Sequence, residues 1–186
     1  MSRFKGLFLS FLLLFFPLSA FANDPDLAIY ASHWGIGDGA DAYGYGGRLG
    51  IPAISDVTQL EFRAAAFEDR VKTGEPGIDV IPLEFGIALK PEFPLFRPFA
   101  SAGLGYYLLD TPSEFSANNE WGWYLATGLE IVLPLGFSLY AEVNYRAVEA
   151  ELEGDLSGFD KFDFTNAKGD YDLSGVGANI GLNLRW

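Results

Sequence analysis

From Leu27 to Trp186 the side chains alternate, one bulky and apolar, the next small or polar, in segment after segment. The last segment shows it most cleanly. Val176, Ala178, Ile180, Leu182, Leu184 and Trp186 share one parity, and Gly175, Gly177, Asn179, Gly181, Asn183 and Arg185 the other. Successive side chains of a strand point to opposite faces, so a period of two means strands with one apolar face. Phe137–Val148, Trp121–Leu133, Ile78–Lys90, Val57–Glu68 and Tyr43–Ile51 repeat the pattern, and Arg97–Leu109 and Leu27–Ile36 carry weaker versions of it. That makes eight strands, most of ten residues or more. Soluble strands average about 5–6 residues, whereas a tilted strand crossing a bilayer needs about 9–11.

The links between the strands alternate in length. Pro52–Asp56, Pro91–Leu95 and Pro134–Gly136 are short and contain proline, while Asp69–Gly77, Asp110–Glu120 and Ala150–Asp172 are long and polar. Gly37–Asp41 is a short member of the long set. Short turns at one end and long loops at the other are the meander of an outer-membrane barrel, with the short turns on the periplasmic side. The expected fold is therefore all-β: an eight-stranded antiparallel up-and-down transmembrane barrel.

A soluble eight-stranded barrel also alternates, but hides its apolar face inside. Two features set the faces here. The polar face is rich in Gly and Ala, which suits the narrow interior that eight strands enclose. The bulky face would then lie outside, where lipid favours it and water does not. The charges on the small face also nearly balance. Parity places Arg48, Arg63, Arg97, Arg146 and Arg185 inward together with Glu61, Glu84, Glu130 and Glu142. A buried charge must be paired, because desolvating it alone costs several kcal/mol. Such a network either lines a narrow ion path or packs the barrel; an interior just wide enough for side chains favours packing. Tyr106, Tyr107, Trp121, Trp123 and Tyr145 are expected near the outer rim, and Phe96, Phe137 and Trp186 near the periplasmic rim, as two aromatic bands.

Residues 1–22 have the form of a secretory signal peptide: Arg3 and Lys5, an apolar run from Leu7 to Leu18, then Ala20-Phe21-Ala22 as a small-x-small cleavage site. The barrel domain is expected over 23–186. Losing Arg3 and Lys5 takes the net charge from −13 to −15, which argues against nucleic acid as a partner. The chain has no cysteine, so an exported protein of this kind must be held together by closure rather than by disulfides.

Arg97-Pro98-Phe99-Ala100-Ser101-Ala102-Gly103-Leu104-Gly105-Tyr106 is similar to the central Gly-rich strand of the small outer-membrane β-barrels, the OmpX-like and OmpA-barrel family. The ending Leu184-Arg185-Trp186 resembles that family's signal for the barrel-assembly machinery, with Trp186 as the terminal aromatic. The resemblance covers 23–186 and rests mostly on pattern. It implies residence in the outer membrane, contact with lipid and lipopolysaccharide, and roles in envelope integrity, adhesion or defence. It carries over no catalytic residue and no cofactor, and no peptidoglycan-binding domain is expected after the last strand.

Few motifs carry chemistry. Gly35-Ile36-Gly37-Asp38-Gly39-Ala40 formally fits a dinucleotide fingerprint, but Asp41-Ala42-Tyr43-Gly44-Tyr45-Gly46-Gly47 after it cannot make the required helix. His33 is the single histidine, and the adjacent Ser32 faces the other way, so a His–Ser catalytic pair is not expected. Eight acidic residues from Glu149 to Asp172 do not follow the spacing of a calcium loop, and no metal site is assigned. Phe159, Phe162, Phe164 and Tyr171 in the same long loop are the expected contact surface for an extracellular partner. The leading reading is a non-enzymatic outer-membrane protein with a structural or interaction role. The alternatives are a lipid A-modifying barrel enzyme, a narrow ion-conducting pore and, last, a soluble periplasmic barrel that binds a ligand.

Overall fold

In the computed structural model, eight long strands close into one barrel: β1 (Asp26–Ile36), β2 (Asp41–Pro52), β3 (Thr58–Asp69), β4 (Asp79–Leu89), β5 (Phe96–Asp110), β7 (Glu120–Val132), β8 (Phe137–Ala147) and β11 (Gly175–Arg185). Three short strands complete the set: β6 (Phe115–Ala117), β9 (Glu149–Gly154) and β10 (Ala167–Asp172). The structure describes residues 24–37, 41–53, 55, 57–69, 79–110, 115–154 and 167–186, so the expected signal peptide lies outside the described residues. Each barrel strand pairs antiparallel with the next, and β1 closes on β11 from Asp26 opposite Arg185 to Ile36 opposite Gly175. Closure leaves the barrel without a free edge, so the backbone groups of the wall are paired within it.

The barrel is apolar outside. In β8, Ser138, Tyr140, Glu142, Asn144 and Arg146 are buried, while Phe137, Leu139, Ala141, Val143 and Tyr145 are exposed. The same inversion holds in β4, β7 and β11. Trp121 is 69% exposed and Ile180 68%, an unfavourable surface in water and the expected one in hydrocarbon. At the long-loop end Tyr106 packs on Trp121 at 5.1 Å and Trp123 on Tyr145 at 5.6 Å, forming an aromatic band. Phe96, Phe137 and Trp186 are exposed near the short-turn end. Tyr107 does not join the outer band. It is fully buried in the lumen, because its parity is opposite to that of Tyr106.

The interior is also less small than its glycines suggest. Tyr30, Trp34, Phe67, Phe99, Tyr107, Tyr124 and Tyr140 are all buried inside. The glycines make room for them. A Cβ on Gly46 would stand 2.6 Å from the Tyr30 ring, one on Gly128 2.5 Å from Phe99, and one on Gly105 2.7 Å from Tyr107. Glycine in these strands marks close approach of a ring to the wall.

The long loops hold a second sheet in the order β10-β9-β6. β9 begins two residues after β8 ends, and pairs Glu149 to Gly154 against Asp172 to Ala167. A stretch expected to be loop is thus partly strand, and its alternation of Ala150 and Leu152 with glutamates was readable as such. At the short-turn end, Pro134-Leu135-Gly136 links β7 to β8, with Leu135 at φ 64° and Gly136 at φ 81°. Glycine takes that backbone freely, whereas an L-residue such as leucine pays roughly 1–2 kcal/mol for it.

Candidate functional site

Among the described residues, the lumen is where polar side chains from every wall converge, and its charges lie in three tiers. The tier nearest the short turns joins Asp26, Arg48, Lys90 and Glu130. Lys90 Nζ donates to Asp26 Oδ2 at 2.7 Å and to Glu130 Oε1 at 2.8 Å. Arg48 Nη2 donates to the same Glu130 oxygen at 2.7 Å, and Gln59 Nε2 to Asp26 Oδ2 at 2.9 Å. The Arg48 guanidinium lies between two rings, 5.0 Å from the centre of Phe99 and 4.5 Å from that of Tyr140. Cation–π contact adds to the charge pairing here because both partners are dry.

The middle tier centres on Arg63 and Glu142. Arg63 Nη2 donates to Glu142, while its other nitrogens lie 3.6 Å from Glu84 and 3.8 Å from Glu61. Glu142 also accepts from Tyr140 Oη, from Asn179 Nδ2 at 2.7 Å and from Asn144 Nδ2 at 3.1 Å. Tyr124 Oη donates to Glu61 at 3.0 Å. In the third tier Arg146 Nε donates to Glu84 at 2.8 Å and Arg146 Nη1 to Asn144 Oδ1 at 2.7 Å. Tyr107 Oη approaches Glu84 at 3.4 Å. Arg146 lies 5.2 Å from the centre of the Trp34 ring, and above it Trp34, Phe67 and Tyr107 pack on one another with Ile36, Val80, Val148 and Leu173. This apolar layer caps the lumen at the long-loop end.

Of the charges assigned inward by parity, Arg48, Glu61, Arg63, Glu84, Glu130, Glu142 and Arg146 are buried and joined in this network. Arg97 and Arg185 are placed differently. They sit at the short-turn rim, 15% and 22% exposed, where Arg185 pairs with Glu92 and Asp24 and Arg97 reaches Glu92 and Glu130 at 3.8 Å. Asp26 and Lys90 were not assigned. Both lie at strand ends, and carrying the parity of Ala28 and Ala88 one step outward finds them. With Arg97 counted, the cations Arg48, Arg63, Lys90, Arg97 and Arg146 match the carboxylates Asp26, Glu61, Glu84, Glu130 and Glu142 one for one.

His33 lies outside the barrel, half-exposed on the outer wall. Its Nε2 is 3.4 Å from Asp41 Oδ1, and its ring packs on Tyr43 at 5.0 Å. Asp41 is a carboxylate partner on the same face that the sequence had not suggested. Ser32 points inward, where its Oγ donates to Asn179 Oδ1 at 2.6 Å. The histidine and serine therefore stand on opposite sides of the wall, too far around it to form a nucleophile–base pair. Among the described residues no cluster of three or more His, Cys, Asp or Glu is arranged to hold a metal ion. Phe159, Phe162 and Phe164 lie outside the described residues, and Tyr171 stands in β10 opposite Ala150. Trp186 follows β11, and its backbone N–H donates to Pro25 O at 3.3 Å.

A family model of the outer membrane protein beta-barrel domain matches residues 8–185. Among solved structures the chain is similar to the outer membrane protein OprG from Pseudomonas aeruginosa, with a TM-score of 0.72 and 17% identity over 89% of this chain and 96% of that one. It is also similar to Neisserial surface protein A, with a TM-score of 0.59 and 10% identity over 88% and 96%. For E. coli outer membrane protein W the TM-score is 0.56, at 14% identity over 90% and 100%. At these identities the likeness is one of fold. No curated protein is detectably similar in sequence.

Proposed function

The chain belongs to the outer membrane protein beta-barrel domain family, and we propose that it serves there as a non-enzymatic scaffold, sealed along its axis, whose external loops make its contacts. The observation that carries this reading is the filled lumen. Every luminal carboxylate is matched to a cation, and Trp34, Phe67 and Tyr107 cap the column. Water or ions could pass only by displacing buried pairs, and parting a buried charge from its partner leaves it desolvated and uncompensated. By the rule that long loops face outward, β6, β9 and β10 stand on the extracellular side, as a platform for a partner and for lipopolysaccharide around its base. Trp186 would be read by the assembly machinery. A lipid-modifying enzyme is disfavoured because the adjacent Ser32 faces into the lumen, away from the His33–Asp41 pair.

Four measurements test this. The outer-membrane form should migrate faster on an SDS gel before boiling than after, as a closed barrel does. Planar-bilayer recordings should show no discrete conductance; steady single-channel steps would replace the scaffold reading with the pore. Deleting Glu151–Asp170, which removes most of β9 and β10, should leave that heat-dependent shift intact and abolish binding to whole-cell partners or surfaces. Binding that survives the deletion would place the contact surface elsewhere. An altered lipid A acyl pattern in cells carrying the protein would revive the enzyme.

A further inference from the structure

The outward apolar surface is not the same height all round the barrel. On β1 it runs through Leu27, Ile29 and Ala31 and then meets His33 and Gly35. On β7 it runs from Trp121 to Ile131, interrupted only by Thr127. On that side it does not stop at the strand ends. The turn from β4 to β5 exposes Phe93 and Leu95, the latter by 74%, and the turn from β7 to β8 exposes Leu135 by 90%. The two turns are tied together, since the N–H of Val132 donates to the carbonyl of Leu95 at 3.0 Å. Phe93 and Phe96 stack at 4.9 Å, which joins the turn to the belt above it. The turn from β2 to β3 flanks the β4–β5 turn on the side away from β7, with the N–H of Lys90 donating to the carbonyl of Val57 at 2.7 Å; its described residues are Ala53, Ser55 and the exposed Val57, with Ser55 bonded to Thr58.

Leu135 is the telling residue. Its backbone is in the left-handed region at φ 64°, ψ 27°, a place that Asn, Asp and Gly fill at lower cost. A leucine there bears a conformational cost and, in water, exposes its whole side chain as well. A local outlier of this kind points to function when something outside the fold offsets it. The surface it continues is the lipid-facing belt, and the charged groups of the same rim pair with one another: Arg97 and Arg185 with Glu92 of the β4–β5 turn, and Arg185 also with Asp24.

We propose that the β4–β5 and β7–β8 turns are a membrane foot, with Phe93, Leu95 and Leu135 seated in the phospholipid leaflet at the short-turn end. The barrel then spans more hydrocarbon on its β5–β7–β8 side than on its β1–β2 side. A belt of unequal height tilts a protein or thickens the bilayer locally, so the foot also sets the orientation of the loops at the far end.

The absence of cysteine from the chain makes the test direct. Leu135→Cys and Ser55→Cys are each labelled with a small fluorophore, and the full barrel is refolded into vesicles of phosphatidylethanolamine and phosphatidylglycerol. The label at 135 should be quenched by bromine-bearing acyl chains and several-fold less by aqueous iodide than the label at 55. Equal iodide quenching at both sites would overturn the proposal, and so would shielding from iodide without quenching by brominated lipid, which would mean a protein contact. Leu135→Asn gives an independent sign. Asparagine accepts this backbone better, so a leucine that faces water would be replaced with no loss or a gain in the urea midpoint. A leucine that faces lipid lowers the midpoint when replaced, and this is the expected result.

Discussion

Arg63→Met should destabilise the folded barrel by about 3–5 kcal/mol, the range for removing one partner of a buried ion pair. Arg63 is buried at the centre of the lumen and faces Glu142, Glu84 and Glu61, with Tyr124 under its guanidinium at 5.0 Å. Methionine fills much of the same space but leaves those three carboxylates around an uncharged chain. Arg146 still holds Glu84, and Arg48 lies 3.8 Å from Glu61. Glu142 loses its cation altogether and keeps only Tyr140, Asn144 and Asn179 as donors. The loss should therefore be concentrated at Glu142. Arg63→Met combined with Glu142→Gln should recover a measurable part of it, since replacing both members of a buried pair is far less costly than removing one. Urea unfolding of the vesicle-refolded barrel, followed by tryptophan fluorescence, reads both variants. A loss below about 1 kcal/mol, the value of an exposed pair, would mean that the lumen is wet. Absence of recovery in the double variant would move the weight of the network from Glu142 to Glu61 and Glu84.

Parity was enough to find the wall of this molecule, and it was not enough to find its contents. Alternation told which side of the sheet each residue takes: Ser138, Tyr140, Glu142, Asn144 and Arg146 in, Leu139, Ala141 and Val143 out. It also separated Tyr106 from Tyr107, which the aromatic-band pattern had placed together at the rim. Parity carries no height, however. Arg97 and Arg185 share their parity with Arg48 and Arg63, yet the first two end at a partly wet rim and the other two in the dry lumen, at different heights. Height depends on how far each strand is staggered against its neighbour when the sheet closes, and closure is a property of all eight strands at once. The pairing of Arg63 with Glu142, 79 residues away, follows from that stagger and from nothing local. The short strands were missed for a different reason. In Glu149–Gly154 the polar positions are all glutamate, so its period of two was read as an acidic loop. The lumen rings were hidden by composition. A face rich in glycine reads as small, whereas here the glycines are small so that rings from elsewhere can lie against them.

That last relation gives the second large effect. Gly105→Val should cost about 1–3 kcal/mol by overpacking, and nearly nothing once Tyr107 has been cut back. A Cβ on Gly105 would meet Cε2, Cζ and Oη of Tyr107 at 2.7, 3.0 and 3.0 Å, so the nearest obstacles all belong to one side chain. The Tyr107 ring cannot swing clear. Trp34 packs on it at a centroid distance of 6.1 Å, its Oη approaches Glu84, and a Cβ on Gly122, across the strand pair, would meet it at 2.9 Å. Valine at 105 must therefore push the ring into the cap or off Glu84. Tyr107→Ala alone leaves a cavity and should cost about 3–5 kcal/mol, as large aromatic truncations do. In that background the valine enters empty space and restores some buried apolar surface. The double variant should thus be no less stable than Tyr107→Ala alone, giving an interaction energy of about 1–3 kcal/mol of the sign that means relief. Gly128→Val supplies the contrast: its Cβ would meet the carbonyl oxygen of Ala141 at 2.3 Å as well as the Phe99 ring. Phe99→Ala should not rescue it, because backbone rather than a side chain is in the way. If Gly105→Val were as damaging in the absence of Tyr107 as in its presence, the glycine would be required by the wall itself. The lumen rings would then occupy space that closure had already left, rather than space that glycine was placed to provide.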